Sequence, residues 1–210
     1  MASSKVVCWN SGGIRASAHT TEKKIAFFDN QFPMANFSIA AFVETHHKSK
    51  EVFPDEIKEY GVSHHILHTP TDTTETHGGI IVLITKEYNI ISSTELITGR
   101  FINIKCVHKI TKKERNISVF YGPIWHKMNK DNILRILENF KNVHSVTDNN
   151  LILGDFNFID NHIDKGKKMD QKDKMIHPYW DNFKTHSGVT DPYRMQYPKK
   201  NMLFLCITAR

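Results

Sequence analysis

The chain has 210 residues, 40% of them hydrophobic and 24% charged, with a formal charge of +6. That is enough chain for one domain, residues 1–210, with its own core and an ordinary globular composition. It excludes a helix spanning a bilayer, which needs about 20 consecutive apolar residues, and a disulfide framework, because Cys8, Cys106 and Cys206 stand far apart. Met1 to Trp9 lacks the apolar stretch of a signal peptide, so a soluble protein made in the cytosol is expected. The positive charge favours a polyanionic partner. Lysines cluster around Lys112 and Lys113 and again between Lys165 and Lys174, although a solvated loop accounts for either cluster alone.

Taken in chain order, Lys5 to Trp9 reads as a short buried strand. Thr21 can cap a helix whose apolar face is Ile25, Phe28 and Phe32, ended by Pro33. Phe37 to Val43 is an apolar run of strand length that ends at Glu44, and Val62 to Leu67 is a further strand. His77-Gly78-Gly79 leads into the β-branched run Ile80 to Ile84. Arg100 to Lys109 and Asn116 to Tyr121 flank a polar turn and read as an antiparallel hairpin. Lys130 to His144 carries Ile133, Leu137 and Phe140 at helical spacing. Leu151 to Leu153 is a buried strand that runs into Gly154-Asp155-Phe156-Asn157. Asp173 to His186 is a helix with Gly188 just past its end, and Leu203 to Ile207 is strand-like. Many strands with helices between them predict an α/β architecture, a two-sheet sandwich flanked by helices.

Polar residues of interest fall at strand ends: Asn10, Glu44, Tyr121, Asp155 and Asn157. Strand ends on a rigid scaffold are where chemistry is usually presented. Hydrolysis of a phosphodiester needs a metal to neutralise the phosphate, a group to activate water, and donors to hold the phosphate. Mg²⁺ takes one or two carboxylates plus waters, and Glu44 and Asp155 are of the right type. Either carboxylate alone is better read as a solvated strand terminator. His64, His65 and His68 raise the question of a zinc cluster, but neighbours on a strand face opposite sides. Trp125 and Tyr179 are candidates for base stacking, with packing the simpler reading.

The order of the segments adds what no single residue gives. Val-Cys-Trp-Asn ending at Asn10, Phe-Val-Glu-Thr-His from Phe42 to His46, Phe-Tyr-Gly-Pro from Phe120, Leu-Gly-Asp-Phe-Asn from Leu153, and Thr-Asp-Pro-Tyr-Arg from Thr190 follow one another. This series resembles the endonuclease/exonuclease/phosphatase superfamily over Lys5 to about Ile207. Within it, Glu44-Thr45-His46, together with Asn161, Asp164 and Lys165 after Asn157, is most like the apurinic-type endonuclease domain of LINE-like retrotransposons. That branch nicks DNA to expose a 3′-hydroxyl.

The resemblance implies a DNase I-like fold, Mg²⁺ or Mn²⁺ as cofactor with no organic cofactor, and DNA as partner rather than a membrane. It implies location in the nucleus if the chain acts on DNA, otherwise in the cytoplasm. It also implies roles. Glu44 would be the principal metal ligand, and Asn10 would orient it or the phosphate. Tyr121 and Asn157 would hydrogen-bond the phosphate or leaving group, and Asp155 would orient or activate water. Asp191 and Arg194 would hold a loop by an ion pair. His46, His77, Lys112, Lys113, Lys165, Lys167 and Lys168 are candidates for DNA contact. Val43 stands where a glutamine is common, and Ile124 where many relatives have asparagine. The family pattern goes on with an Arg-Ile/Leu-Asp strand and a terminal Ser-Asp-His, which this sequence lacks before Arg210. The expectation is therefore a fold short of its last strands, weak nicking by the chain itself, and Leu203 to Ile207 left as an exposed apolar edge. Two other readings remain: a catalytically dead remnant that binds nucleic acid, and the same fold acting on a phosphoinositide, sphingomyelin or nucleotide.

Overall fold

In a computed structural model, the described residues are 5–13, 30, 37–48, 55–73, 75–123, 130–143, 149–158, 171–191, 195–197 and 205–209. They form two mixed sheets. The first has the order β1-β2-β4-β3, from β1 (Val6–Asn10), β2 (Ile39–Val43), β3 (His64–Thr69) and β4 (Ile80–Thr85). The second has the order β5-β6-β7-β8-β10-β9. Its strands are β5 (Tyr88–Ile97), β6 (Phe101–His108), β7 (Glu114–Tyr121), β8 (Asn150–Asp155), β9 (Val189–Thr190) and β10 (Leu205–Ala209). The helices are α1 (Asp55–Glu59), followed by a 3₁₀ turn at Tyr60–Val62, then α2 (Lys130–Val143) and α3 (Gln171–Ser187). Among the described residues no helix is long and apolar enough to cross a membrane.

The period-two alternation of each strand sends its side chains into two different cores. Ile39, Ala41 and Val43 of β2 meet Ile102, Ile104, Ile117, Val119, Leu151 and Leu153 of the second sheet, and this is the filling of the sandwich. The alternate residues of β2 and β4, Ala40, Phe42, Ile81 and Leu83, face outward onto Ile57 of α1 and onto Tyr60. On the far side, Phe101, Phe120 and Ile152 pack under Ile136 and Leu137 of α2 and under Ile176, Trp180 and Phe183 of α3. β2 is thus covered on both faces, which is why its sequence is apolar throughout rather than alternating. Each fully buried Ile, Val, Leu or Phe among these contributes about 1.5–3 kcal/mol. Pro178 lies inside α3 and removes one main-chain donor, while Ile176, Trp180 and Phe183 around it remain buried.

Two sequence expectations change. Residues 88–97 carry no pattern that predicts an element, yet they form the ten-residue edge strand β5, mostly exposed and irregular at Ile90/Ser92 and Glu95/Ile97. Polar residues and such irregularities are how an edge strand avoids pairing with other chains, and they also erase the hydrophobic alternation by which strands are recognised. Second, the apolar segment from Leu203 to Ile207 is described from Leu205 onward, and that part is not an edge strand. β10 lies between β8 and β9, pairing Leu205 with Gly154 and Thr208 with both Leu151 and Thr190. In keeping with the alternation of a strand, His64, His65 and His68 do not form a cluster. His64 packs against Phe37 and Tyr60, His65 reaches the carbonyl of Tyr88, and His68 meets His47. Of the expected helix from Thr21 to Phe32 only Asn30 is described, and it is helical; Ile124, Trp125, Asn161, Asp164, Lys165, Lys167, Lys168 and Arg194 lie outside the described residues.

Candidate active site

Strand direction decides which residues meet. β1 and β2 are parallel, with Asn10 beside Val43, so Asn10 and Glu44 emerge at the same end. β7 and β8 are also parallel, with Tyr121 beside Asp155. β4 runs antiparallel to β2 and pairs Ile80 with Val43, which brings His77-Gly78-Gly79 to that end as well. β6 pairs Phe101 with Phe120 and so delivers Arg100. One end of the sandwich therefore collects residues from both sheets.

Their side chains form a connected network. Asn10 Nδ2 donates to Asp155 Oδ2 at 2.8 Å, which links the first sheet to the second. Asn10 Oδ1 accepts from the Gly12 amide at 2.9 Å, which fixes the rotamer of the side-chain amide. The Asn157 amide donates to Asp155 Oδ1 at 2.9 Å, and Asn157 Nδ2 donates to the Gly122 carbonyl at 2.6 Å. The Tyr121 hydroxyl meets both the Glu44 carboxylate and the Asn157 side chain. His77 Nδ1 lies 3.2 Å from Glu44 Oε1, and His46 Nε2 lies 3.5 Å from the same oxygen.

The backbone holds these groups under tension. Glu44, His46 and Asn157 have φ of 56°, 57° and 53°. Non-glycine residues rarely adopt that region, and the conformation costs roughly 1–2 kcal/mol for each. It is maintained by hydrogen bonds to neighbouring elements: Gly13 N to Glu44 O at 2.7 Å, Thr45 N to Gly79 O at 3.1 Å, and His46 N to Gly78 O at 2.9 Å. Ser11 Oγ also donates to the carbonyls of Val43 and Glu44. Behind the loop, buried Thr45 bonds His47 Nδ1 at 2.6 Å, and His47 Nε2 meets His68 Nδ1 at 3.2 Å. Observed strain of this kind is concentrated at functional sites.

Electrostatics follow from the same contacts. Burial pushes the Glu44 carboxyl up, but hydrogen bonds from Asn10, Tyr121 and His77 and the contact with His46 outweigh it. The net pKa is below the ordinary 4.5. Glu44 is thus an anion at neutral pH, with only 18% of its side chain exposed. The Tyr121 hydroxyl is pushed up to about 12, first by burial and then by the Glu44 charge, so it keeps its proton and acts as a donor.

A divalent cation fits here on the evidence of the donor set. One oxygen of Glu44 and one nitrogen each of His46 and His77 all lie within 4.8 Å of one another. His46 Nε2 is buried and has no hydrogen-bond partner, facing the carboxylate from just beyond bonding distance.

Sequence reasoning missed Arg100 and Glu75. The Arg100 guanidinium lies 5.3 Å over the Tyr121 ring, bonds Glu75, and donates to the Gly122 carbonyl at 3.3 Å. The Tyr121 amide in turn donates to the Arg100 carbonyl at 2.8 Å. No sequence signal marks this pair, since an arginine after Gly99 reads as an ordinary turn residue. Of the remaining candidates, Asp191 is half-buried and its carbonyl accepts from Met195 N at 3.0 Å. Lys112 and Lys113 are exposed in the β6–β7 turn, eight residues along β7 from Tyr121 and so about 26 Å from the network.

No family model matches the sequence, and no curated protein matches it significantly. Solved structures do resemble it. An AP endonuclease from Leishmania major superposes with a TM-score of 0.72 at 12% identity, covering 98% of this chain and 79% of that one. A 3′ phosphatase from Neisseria bound to product DNA hairpin gives 0.67 at 13% identity over 99% and 87% of the two chains. A mannosyl-6-phosphatase from Bacteroides thetaiotaomicron gives 0.62 at 11% identity over 98% and 85%. With its two mixed sheets and few helices, the chain has the endonuclease/exonuclease/phosphatase, DNase I-like fold.

Proposed function

We propose that this chain is a divalent-metal-dependent phosphodiesterase that nicks DNA in the manner of a retroelement endonuclease. The observation that carries the reading is the single hydrogen-bonded network of Asn10, Glu44, Tyr121, Asp155 and Asn157 across the two sheets. These are the positions at which the sequence resembles that family.

In this reading Glu44 would hold a divalent cation, which would neutralise charge on the phosphate oxygens. Tyr121, protonated throughout the working pH range, donates its Oη proton in a hydrogen bond to a phosphate oxygen. Asn157 supplies a second donor beside it. Asp155 has one hydrogen bond to each carboxylate oxygen, from Asn10 and from the Asn157 amide, which fixes its plane and leaves lone pairs to accept a proton from the attacking water. Arg100 holds the Tyr121 ring in place. Asp191 and Arg194 are proposed as a loop support.

The positive charge supports a DNA substrate. Lys112 and Lys113, with Lys165, Lys167 and Lys168, are proposed backbone contacts, the first two meeting a duplex about 7–8 base pairs from the nick. The test is nicking of supercoiled plasmid with Mg²⁺. Relaxed circles whose nicks carry an extendable 3′-hydroxyl, and which disappear with Asp155→Ala, are expected. DNA binding without nicking would mean a non-catalytic binder. The sugar phosphatase among the structural neighbours supports a second reading, in which the same site cleaves a non-DNA phosphoester. Hydrolysis of a small phosphoester with no effect on plasmid would favour it.

A further inference from the structure

We infer that Glu44, His46 and His77 form a two-histidine, one-carboxylate site that selects a borderline transition ion such as Zn²⁺ over Mg²⁺. The inference rests on the reading of Glu44 as a metal ligand and goes beyond it in naming the other donors and the class of ion.

The distances are those of a coordination shell. In a tetrahedral site with bonds of about 2.0–2.1 Å, neighbouring donor atoms are about 3.3–3.4 Å apart. Glu44 Oε1 is 3.2 Å from His77 Nδ1 and 3.5 Å from His46 Nε2. Two of the three edges are therefore in place, and the third is within 4.8 Å.

The rings are also presented by the fold and not by chance rotamers. His46 follows Glu44 by two residues, and both have positive φ, which turns the two side chains toward each other. The Nδ1 edge of the His46 ring packs on Gly13. A Cβ there would lie 2.8 Å from His46 Nδ1, and Gly13 itself has φ of 83°, so only glycine leaves room for this ring position. With Nδ1 against Gly13, Nε2 is left facing the carboxylate. The His46 N to Gly78 O hydrogen bond locks the two loops together and brings His77 alongside, the two rings meeting edge to face at 5.4 Å. His77 is 58% exposed, which leaves an open side for an ion to enter and for a fourth ligand.

The donor types then choose the ion. Mg²⁺ is a hard cation that prefers carboxylates and water, whereas imidazole suits Zn²⁺ and its neighbours in the first transition row. Two histidines and one glutamate with an open fourth position make up a recurrent donor set for catalytic zinc. Mg²⁺ needs only Glu44 of this set, so the two ions compete for one carboxylate.

The competing account is that both histidines simply hydrogen-bond Glu44, and the experiment separates the two. Isothermal titration of the 210-residue chain with Zn²⁺ alone and with Mg²⁺ alone is compared with His77→Ala, His46→Asn and His65→Ala. Asparagine is chosen at 46 because it tolerates the left-handed backbone. One Zn²⁺ site is expected, weakened at least about tenfold by each of the first two substitutions and unchanged by His65→Ala. Mg²⁺ affinity is expected to stay within about twofold in all three, because its ligands are oxygens. Visible absorption of the Co²⁺-loaded chain should diminish in the same two variants. The inference is overturned if Zn²⁺ affinity is unchanged in both variants, or if Mg²⁺ affinity falls in parallel with it. Nicking by the unsubstituted chain in Mg²⁺ alone is a separate measurement, so absence of a Zn²⁺ site beside Mg²⁺-supported nicking overturns this inference and leaves the phosphodiesterase reading standing.

Discussion

Among the described residues, four that are not glycine have positive φ, and they divide between the two ends of the sandwich. Glu44, His46 and Asn157 lie at one end, Lys112 at the other. Lys112 is held locally. Its amide donates to His108 O, His108 N donates to Lys113 O, and His108 Nδ1 accepts from the amides of Ile110 and Thr111. It is a hairpin turn, and its strain is a property of a few consecutive residues. The other three are held across the fold: Gly13 N donates to Glu44 O, the carbonyls of Gly79 and Gly78 accept from Thr45 N and His46 N, and the Gly122 carbonyl accepts from Asn157 Nδ2. There the same conformation is imposed from distant parts of the chain, and it presents the half-buried Glu44 and His46 and the exposed Asn157. The same backbone anomaly is thus a turn in one place and a built site in the other.

The largest expected effects come from breaking the built end. Asp155→Ala should lower plasmid nicking about 10²–10⁴-fold, the range for a general acid–base group, in single-turnover assays. Lys112→Ala should leave the chemical step alone. Gly154→Ala, next to that aspartate, should instead attack the fold. Its Cβ would meet the Phe120 carbonyl oxygen at 1.8 Å, with φ of 152°, in the parallel pairing that aligns Tyr121 with Asp155. A loss of more than about 3 kcal/mol in urea unfolding is expected.

Tyr121→Phe removes one donor and should cost roughly 10²-fold in rate. Because the hydroxyl titrates only near 12, the wild-type rate should show no alkaline fall due to this group below about pH 11. Acid should separate the two ends in a different way. The folded pKa of Glu44 is depressed, so its stabilising effect is complete above its ordinary value of 4.5 and is lost as pH falls through the lower folded value. The stability of the wild type should therefore decline more steeply below pH 4.5 than that of Glu44→Gln, as followed by urea midpoints. At the hairpin the effects are small. Lys112→Gly should stabilise by up to about 1 kcal/mol by relieving a conformation that glycine adopts freely. Lys112→Ala and Lys113→Ala should each reduce the salt dependence of DNA binding by roughly one phosphate contact.

The elements that were legible in the sequence are those whose pattern is local. β2, β4, β6, β7 and β8 were visible as apolar runs, and α3 as a helical segment with Gly188 after it, because their faces are buried and burial selects residue type. β5 was not, because a half-exposed edge strand of Asn, Ser, Thr and Glu satisfies its backbone without any hydrophobic period. The place of β10 between β8 and β9 was also hidden. Which strand pairs with which is a long-range choice, and an apolar run reads the same at a sheet's edge and in its interior.

The sequence by itself determined the chemical inventory: strand-end Asn10, Glu44, Tyr121, Asp155 and Asn157, in an order that resembles a phosphodiesterase family. It did so because each follows a buried strand or ends one, and strand ends can be read from composition. Only the tertiary structure decided that these residues form one network, since two parallel pairings and one antiparallel one must bring the ends of β1, β2, β4, β7 and β8 together. It also decided which histidines matter. His46 and His77 are 31 residues apart and converge on Glu44 through a loop-to-loop hydrogen bond, while His64, His65 and His68, close in sequence, point to different partners along one strand. Nearness along a strand alternates faces, whereas convergence needs two loops held against each other by the sheets beneath them.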